Sequence, residues 1–286
     1  MSSSAPPVRT RADRRPGRYA AVASVRLRAI LQYRAAALAA VATQVFWGLL
    51  RLMILDGFYR SDPGASDFST VHLVSCVWLG QALFGLFPMN VDPLASERIR
   101  SGAVAYELLR PLDLYANWGV SVIGWRIGRT ALRAVPLLLF AAVLLPLIGA
   151  PSWALDAPAS VAAALGFAVA IALGVLTGMA ITLLGQTIML WTLSSTGWNA
   201  ILPLASWICS GMVVPLPYLP DVARTVLELL PFAGLIDTPF RIYSGHLAGA
   251  EALRALLVQA AWVVALMAAG HRLMGLGIRK VVIQGG

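Results

Sequence analysis

The chain has 286 residues, of which 59% are hydrophobic and only 12% are charged, and it carries a net charge of +9. A soluble domain has about 25% charged residues because its surface faces water, so this composition excludes an ordinary soluble enzyme. The basic excess indicates contact with anionic lipid rather than nucleic acid, since the arginines flank long apolar runs.

Apolar runs of about 20 residues are typical of helices that cross a bilayer, and residues 157–220 contain no charged residue at all. The sequence therefore predicts an all-α, polytopic transmembrane bundle. Residues 1–18 are predicted to be a disordered cytoplasmic tail, residues 19–275 the transmembrane domain, and residues 276–286 a cytoplasmic C-terminal tail. Within that domain, residues 19–34 are expected at the cytoplasmic interface. The six predicted spans are residues 35–55, 69–89, 130–149, 159–191, 198–214 and 252–274.

A short polar helix is predicted between the second and third spans. Asp92 is a good cap for free backbone N–H groups, and Pro93 suits the first helical position. Gly102 is a natural C-terminal stop. The helix from Pro93 to Ser101 would carry the charged side chains Glu97, Arg98 and Arg100. The chain from the Arg110-Pro111 break to Arg133 is predicted to be interfacial.

A proline-rich segment separates the fifth and sixth spans. Asp221 is expected to cap a short helix from Val222 to Leu230, which Pro231 ends. A second short helix is predicted from Phe232 to Tyr243. Neither is long enough to cross a bilayer, so the pair is expected to be re-entrant at the outer side.

Arginine counting predicts that both termini are cytoplasmic. With the N-terminus inside, the inner segments hold 17 of the 22 basic residues (8 before residue 35, 6 over residues 98–133, 3 over residues 272–280), and the outer side holds 5. This distribution follows the positive-inside rule.

No catalytic motif is visible. A P-loop needs a lysine before Ser or Thr, but the single lysine, Lys280, precedes Val281. The histidines, His72, His246 and His271, are far apart and form no zinc-protease motif. No carboxylate lies deep in a predicted span, whereas ion-coupled carriers usually place an ionisable group there. The energy for any transport would then come from another subunit.

The segment Glu97-Arg98-Ile99-Arg100-Ser101-Gly102, followed by Leu108-Leu109-Arg110-Pro111-Leu112-Asp113, resembles the E-R-x-x-x-G…L-L-R-P-x-D signature of one bacterial branch of the ABC-2 permeases. The ending Val281-Val282-Ile283-Gln284-Gly285-Gly286 is similar to that branch too. The resemblance implies an ATP-driven exporter in a bacterial cell membrane. Two permease subunits, identical or paralogous, would pair with two cytoplasmic ATPase subunits that bind ATP and Mg, with no cofactor on this chain.

The resemblance also implies roles for two segments. The helix after Asp92 would be the coupling helix that docks on the ATPase, through Asp92, Glu97, Arg98, Arg100 and Gly102. The outer short helices would form a gate that includes Pro217, Asp221, Pro231, Phe232 and Asp237. A lipid-like or amphipathic substrate, such as a drug or natural product, is expected.

Two alternatives stay open at this stage. One is a channel or secondary carrier that needs no ATP. The other is an integral membrane enzyme, which would require a polar cluster such as Asp113, Arg126 and His271 around one cavity. Glu97 and Arg98 could also be an ordinary solvated pair that bind each other.

Overall fold

The computed structural model describes residues 34–61, 70–109 and 112–279, preceded by Val22, Ser24 and Val25. The predicted N-terminal tail, nearly all of residues 19–34, the Arg110-Pro111 break and the ending after residue 279 lie outside these ranges. The described residues form helices and connecting turns, and no strand is assigned among them. The ten main helices are α1 (Arg34–Ser61), α2 (Thr70–Leu83), α3 (Pro93–Arg100), α4 (Val104–Leu108), α5 (Leu114–Leu139), α6 (Val161–Thr192), α7 (Thr196–Cys209), α8 (Asp221–Leu229), α9 (Asp237–Tyr243) and α10 (Gly249–Ile278).

Four of these helices are long and apolar enough to cross a membrane. They contribute the segments Ala37–Gly57, Leu114–Leu147, Val161–Thr192 and Gly249–Ile278. These segments contain or overlap the first, third, fourth and sixth predicted spans. The protein is therefore an all-helical, multi-pass membrane protein by the length and composition of its helices.

The second and fifth predicted spans are shorter than the sequence predicts. α2 and α7 have 14 residues each, which corresponds to about 21 Å at 1.5 Å per residue, less than the roughly 30 Å hydrocarbon core. A 3-10 turn, Phe84–Leu86, adds to the end of α2. Pro203 lies inside α7, and the helix ends at Cys209, two residues before Gly211, whose φ is +81°.

The stretch predicted to be interfacial and the third predicted span form one continuous helix after Asp113. α5 begins at Leu114 and continues through a π-helical turn, Phe140–Leu144, into the last turn Leu145–Leu147. Asp113 starts this helix, because its Oδ1 accepts a hydrogen bond from the N–H of Ala116 at 2.7 Å. The arginines that suggested an interface are therefore part of one continuous helix.

α6 is the central helix of the bundle, and α10, α9 and α5 pack against it. Two of its glycines allow close backbone approach. A Cβ at Gly174 would lie 3.1 Å from the carbonyl oxygen of Gly234, and one at Gly178 would lie 3.1 Å from that of Leu86. This Gly-x-x-x-Gly pair thus serves packing within the chain.

The two regions singled out in the sequence lie at opposite ends of α6. Ile99 of α3 packs in one buried cluster with Met189 and Leu190, near the C-terminal end of α6. At the other end, the N–H of Ala159 donates to the carbonyl of Tyr243, the last residue of α9, at 3.0 Å. The 32 residues of α6 separate the two regions by roughly 48 Å along its axis.

Candidate functional site

The short helix α3 is confirmed, with both of its predicted ends. The Oδ1 atom of Asp92 accepts a hydrogen bond from the N–H of Leu94 at 3.0 Å, and Pro93 occupies the first turn. Ser101 is the C-terminal cap, and Gly102 follows with a φ of +74°. A left-handed residue after a helix is a standard stop, and glycine adopts that conformation without steric cost.

α3 has a buried face and an exposed face. Ala95 and Ile99 are each 4% exposed and anchor the helix against the end of α6. The predicted coupling residues Glu97, Arg98, Arg100 and Gly102 are exposed on the other side, whereas Asp92 is buried as the cap. The helix therefore presents a charged surface while its inner side is held by the bundle.

Arg98 pairs with Glu107 of α4, not with Glu97. Its Nη1 atom donates to the Oε1 atom of Glu107. The other carboxylate oxygen, Oε2, accepts from the indole N–H of Trp118 on α5 at 2.7 Å. Glu107 is 6% exposed and Trp118 is 3% exposed, so the exposed helix α3 is linked to the long helix α5 through a buried carboxylate.

Asn199 provides a second connection on this side of the bundle. Its side-chain oxygen accepts a hydrogen bond from the N–H of Val91 at 3.1 Å. Val91 comes just before the Asp92 cap, and Asn199 lies in α7. The segment that enters α3 is therefore bonded to α7, and the segment that leaves it is bonded to α5.

Arg126 is a buried cation in α5, with 2% of its surface exposed. Its Nη1 atom donates to the carbonyl oxygens of Leu86, at 2.8 Å, and Phe87, and its Nη2 atom donates to the hydroxyl of Thr182 on α6. Leu86 ends the 3-10 turn after α2, where carbonyl groups lack helical partners. Arg126 thus joins the broken end of α2 to α5 and α6.

The roles of Glu107, Trp118 and Arg126 were not predicted from the sequence. For Arg126 a signal was present, because an arginine within an apolar helix needs internal partners and is a functional candidate by default. Glu107 was visible only as part of the motif around it. Its pairing depends on the turn at Gly102, which brings α4 back against α3.

The outer segment holds the predicted gate residues in two short helices. Pro217 lies in a 3-10 turn, Leu216–Tyr218, ahead of α8. The prediction that Asp221 caps the first helix is wrong: the helix begins at Asp221 itself, and no side-chain cap bond is formed. The carboxylate still lies in the first turn, where it complements the helix dipole.

The predicted second outer helix, Phe232 to Tyr243, is divided. Phe232 precedes a 3-10 turn, Ala233–Leu235, and α9 starts only at Asp237. The break has a backbone cause, because the N–H of Asp237 donates to the carbonyl of Ser210 at 3.2 Å instead of continuing the preceding turn. This bond attaches α9 to the segment that follows α7.

An ion-pair cluster joins α8 to α9. The Nη1 atom of Arg241 lies 2.7 Å from Oε1 of Glu228 and 3.2 Å from Oδ2 of Asp237. Asp237 is 6% exposed, and burial raises the pKa of its carboxyl to about 6 even though the Arg241 guanidinium lowers it. Pro231 lies between the two helices at the end of α8.

Asp113, Arg126 and His271 do not gather around one cavity. Asp113 caps α5, and Arg126 lies 13 residues along the same helix, about 20 Å away at the helical rise. The ring of His271 packs edge-on against Tyr115, with the ring centroids 5.5 Å apart. Within residues 34–61, 70–109 and 112–279, no group of three or more His, Cys, Asp or Glu side chains is arranged to hold a metal ion.

Comparison with known proteins gives one result. The model of a family described as ABC-2 family transporter protein matches residues 37–285. No curated protein and no solved structure matches the chain. The family match covers every helix described above apart from the first three residues of α1.

Proposed function

The chain belongs to the ABC-2 transporter family, and from this premise we propose that it is the membrane permease subunit of an ATP-driven exporter. It would form part of the pathway for a lipid-like or amphipathic substrate, such as a drug or natural product. Hydrolysis of ATP, with Mg, would occur on two separate ATPase subunits. A second permease subunit, identical or paralogous, would complete the pathway in a bacterial cell membrane.

The observation that supports this proposal most directly is the construction of α3. An eight-residue helix with an exposed charged face is capped by Asp92 and terminated at Gly102. Its Arg98 side chain reaches the buried Glu107, and Glu107 reaches Trp118 on a helix long enough to span the membrane. When a docked partner moves, a helix built in this way would transmit the movement to α5.

We propose that the ATPase docks on Glu97, Arg98 and Arg100, with Gly102 shaping the exit of the helix. In this arrangement α3 and both termini are cytoplasmic, which agrees with the 17-to-5 distribution of basic residues. The outer segment, with Pro217, Asp221, Pro231, Phe232 and Asp237, would then form the outer gate. α2 and α7 would be the remaining two of six membrane crossings. Because both helices are short, the bilayer would have to be thinner around them.

The test is ATP-dependent efflux by cells that express the chain together with its cognate ATPase. The double variant Glu97→Ala, Arg98→Ala is expected to lower both co-purification of the ATPase and efflux. Arg272→Ala, an exposed arginine on α10, is the matched control and is expected to leave both unchanged. Transport that persists when the ATPase is absent would overturn the proposal.

A further inference from the structure

α7 is bonded to other parts of the chain at both of its ends. Near its inner end, the Oδ1 atom of Asn199 accepts the N–H of Val91 at 3.1 Å, and Val91 directly precedes the Asp92 cap of α3. Just beyond its outer end, the carbonyl of Ser210 accepts the N–H of Asp237, the first residue of α9, at 3.2 Å. The two acceptors are eleven residues apart, which is about 17 Å along a helix. α7 therefore connects the start of α3 to the outer segment.

Asn199 is held in the orientation that the inner bond requires. Its Nδ2 group donates to the hydroxyl of Ser195 at 3.3 Å, while Oδ1 accepts from Val91. The reverse orientation would place an amide N–H against the N–H of Val91, so the hydrogen-bond network fixes the positions of oxygen and nitrogen. Val91 is 2% exposed, and a buried N–H without an acceptor is costly. The inner bond therefore joins α7 firmly to the residue that enters α3.

The outer end of α7 is in close contact with the outer segment. A Cβ at Gly211 would lie 3.3 Å from Cγ of Leu216 and 3.4 Å from Cβ of Asp237. Ser210 and Leu216 are both fully buried. A shift of this end of α7 would therefore displace the residues that lead into α8 and α9.

Between its ends, α7 is packed loosely against the chain. Two of its 14 residues, Leu202 and Ser206, are buried, whereas 15 of the 32 residues of α6 are buried. Ile201 and Leu204 are 69% and 58% exposed, so an apolar side of α7 faces away from the bundle. Because an element with few buried contacts is displaced at low cost, α7 can shift as a unit while α6 stays in place.

Residues with left-handed backbone flank α7 on both sides. Leu193, three residues before α7, has a φ of +52°, and Gly211, two residues after it, has a φ of +81°. Among the described residues, Leu193 is the one non-glycine with a positive φ, a conformation that is unfavourable for a residue with a Cβ. Hinge motions are absorbed by a few residues at the ends of elements. The two turns therefore delimit α7 as a rigid segment between two hinges.

We propose that α7 is a conformational link between the two ends of the bundle. A displacement of the segment that enters α3 moves α7 through Asn199, and α7 moves the start of α9 through Ser210. This link is additional to the ion-pair connection between α3 and α5, and it reaches the outer segment without displacing α6. Because such coupling is reciprocal, a change at the outer end also acts on Val91. The link is a property of this chain alone, and its use in export rests on the proposed function.

The experiment measures hydrogen–deuterium exchange of the purified chain in detergent, without an ATPase, by mass spectrometry of the peptides that contain Val91 and Asp237. Asn199→Ala removes the inner acceptor and is expected to raise exchange at both amides, by about fivefold or more at Asp237. Asn90→Ala is the matched control, because Asn90 is exposed and adjacent to Val91, and it should leave both amides unchanged. Unchanged exchange at Asp237 in the Asn199→Ala chain would overturn the proposal, whatever happens at Val91.

Two glycine variants test the reverse direction. Gly211→Ala places a methyl group close to Asp237 at a φ of +81° and is expected to raise exchange at Asp237 and, through α7, at Val91. Gly245→Ala is the control: its φ is +80° and a Cβ there would lie 2.9 Å from that of Ala159, but it follows α9 and not α7. It is expected to loosen the outer segment without changing exchange at Val91. Equal exchange at Val91 in the two variants would show that α7 does not couple the two ends.

Transport assays with the cognate ATPase separate this link from the proposed function. Asn199→Ala is expected to retain the ATPase on co-purification, because the exposed face of α3 is unchanged, while ATP-dependent efflux falls. The expected exchange pattern in a chain that shows no ATP-dependent efflux at all would contradict the transport function and support the link. Normal efflux by the unmodified chain, without the expected exchange pattern in the variants, would overturn the link and support the transport function.

Discussion

Arg98 and Glu107 form an ion pair in which the arginine side chain is 44% exposed and the carboxylate only 6%. The pair connects a surface helix to the interior, since the same carboxylate also accepts the Trp118 indole N–H. A displacement of α3 would therefore be transmitted to α5 through Glu107 of α4. Arg98 and Trp118 bond to different oxygens of the Glu107 carboxylate. Each of the two bonds can therefore be removed separately by substitution.

The Arg98→Ala change is expected to destabilise the fold by about 1 to 3 kcal/mol. It removes a charged donor and leaves the buried carboxylate of Glu107 with only the Trp118 hydrogen bond. Arg100→Ala, an exposed neighbour on the same helix, is the control, and a surface change of this kind usually stays within about 0.5 kcal/mol. Thermal unfolding of the purified proteins in detergent measures both.

A double-mutant cycle separates the pair from its surroundings. Arg98→Ala, Glu107→Gln and the combined variant together give the interaction energy, which for residues in one hydrogen-bond network is about 0.5 to 3 kcal/mol. ATP hydrolysis by the co-expressed ATPase supplies the functional readout. An interaction energy near zero would show that Arg98 and Glu107 do not act together.

Substitution of Gly102 tests the exit from α3. Its φ of +74° lies in the left-handed region, but no atom lies within 4 Å of the position of a Cβ. Gly102→Ala is therefore expected to cost about 1 kcal/mol from backbone strain alone, while Gly102→Asn should cost less, because asparagine tolerates this conformation better. Gly197→Ala, also in open space but inside α7, is the control and should not destabilise. Equal stability of the two alanine variants would contradict the argument.

Local signals predicted α3 well because the residues that set its ends act over a few positions. Asp92 bonds to a backbone N–H two residues later, and Gly102 needs only its own φ. The partner of Arg98 could not be predicted in the same way, since Glu107 is brought near by a turn and by packing against α5. From the sequence, the partner considered for Arg98 was its neighbour Glu97, whereas the structure pairs Arg98 with Glu107.

The surroundings of Arg126 in the long helix α5, in contrast, could not be predicted from local sequence. Arginines near residue 126 suggested an interface, because an unpaired cation in an apolar helix is unfavourable. In the fold, Arg126 is not unpaired, because the carbonyls of Leu86 and Phe87 and the hydroxyl of Thr182 accept its hydrogen bonds. Those partners come from two other segments, 39 to 56 residues away. Hydropathy along one segment contains no information about them.

Arg126→Lys is expected to lower the stability of the protein by about 1 to 3 kcal/mol. An ammonium is a compact point charge and cannot reproduce the planar fork that serves two carbonyls and a hydroxyl on opposite sides, so at least one buried group loses its partner. Size-exclusion chromatography after heating, with detection of the intact protein, measures the loss.

Two further variants make this prediction specific. Arg129→Lys changes an arginine one turn away that lies 5.0 Å from the Trp125 ring centroid, and it is expected to have a smaller effect. Thr182→Val removes one acceptor of Arg126 and should cost less than Arg126→Lys, because the bonds to both carbonyls remain. If Arg126→Lys were as stable as the unmodified chain, the assigned role of Arg126 in joining α2, α5 and α6 would be wrong.

The outer cluster predicts a pH dependence with a definite sign. The folded-state pKa of Asp237 is about 6, mainly because burial disfavours its charged form, whereas an unfolded aspartate titrates near 3.9. Between these values the folded chain binds more protons than the unfolded chain, so the contribution of Asp237 to stability is full below about pH 4 and is lost as the pH rises through about 6. Asp237→Asn should therefore flatten the stability profile between pH 4 and 7, as measured by thermal unfolding. The control is Asp221→Asn, which changes an exposed aspartate at the start of α8 and should leave the slope of stability against pH unchanged. If the Asp237→Asn protein kept the slope of the unmodified chain, the pH dependence would belong to other groups.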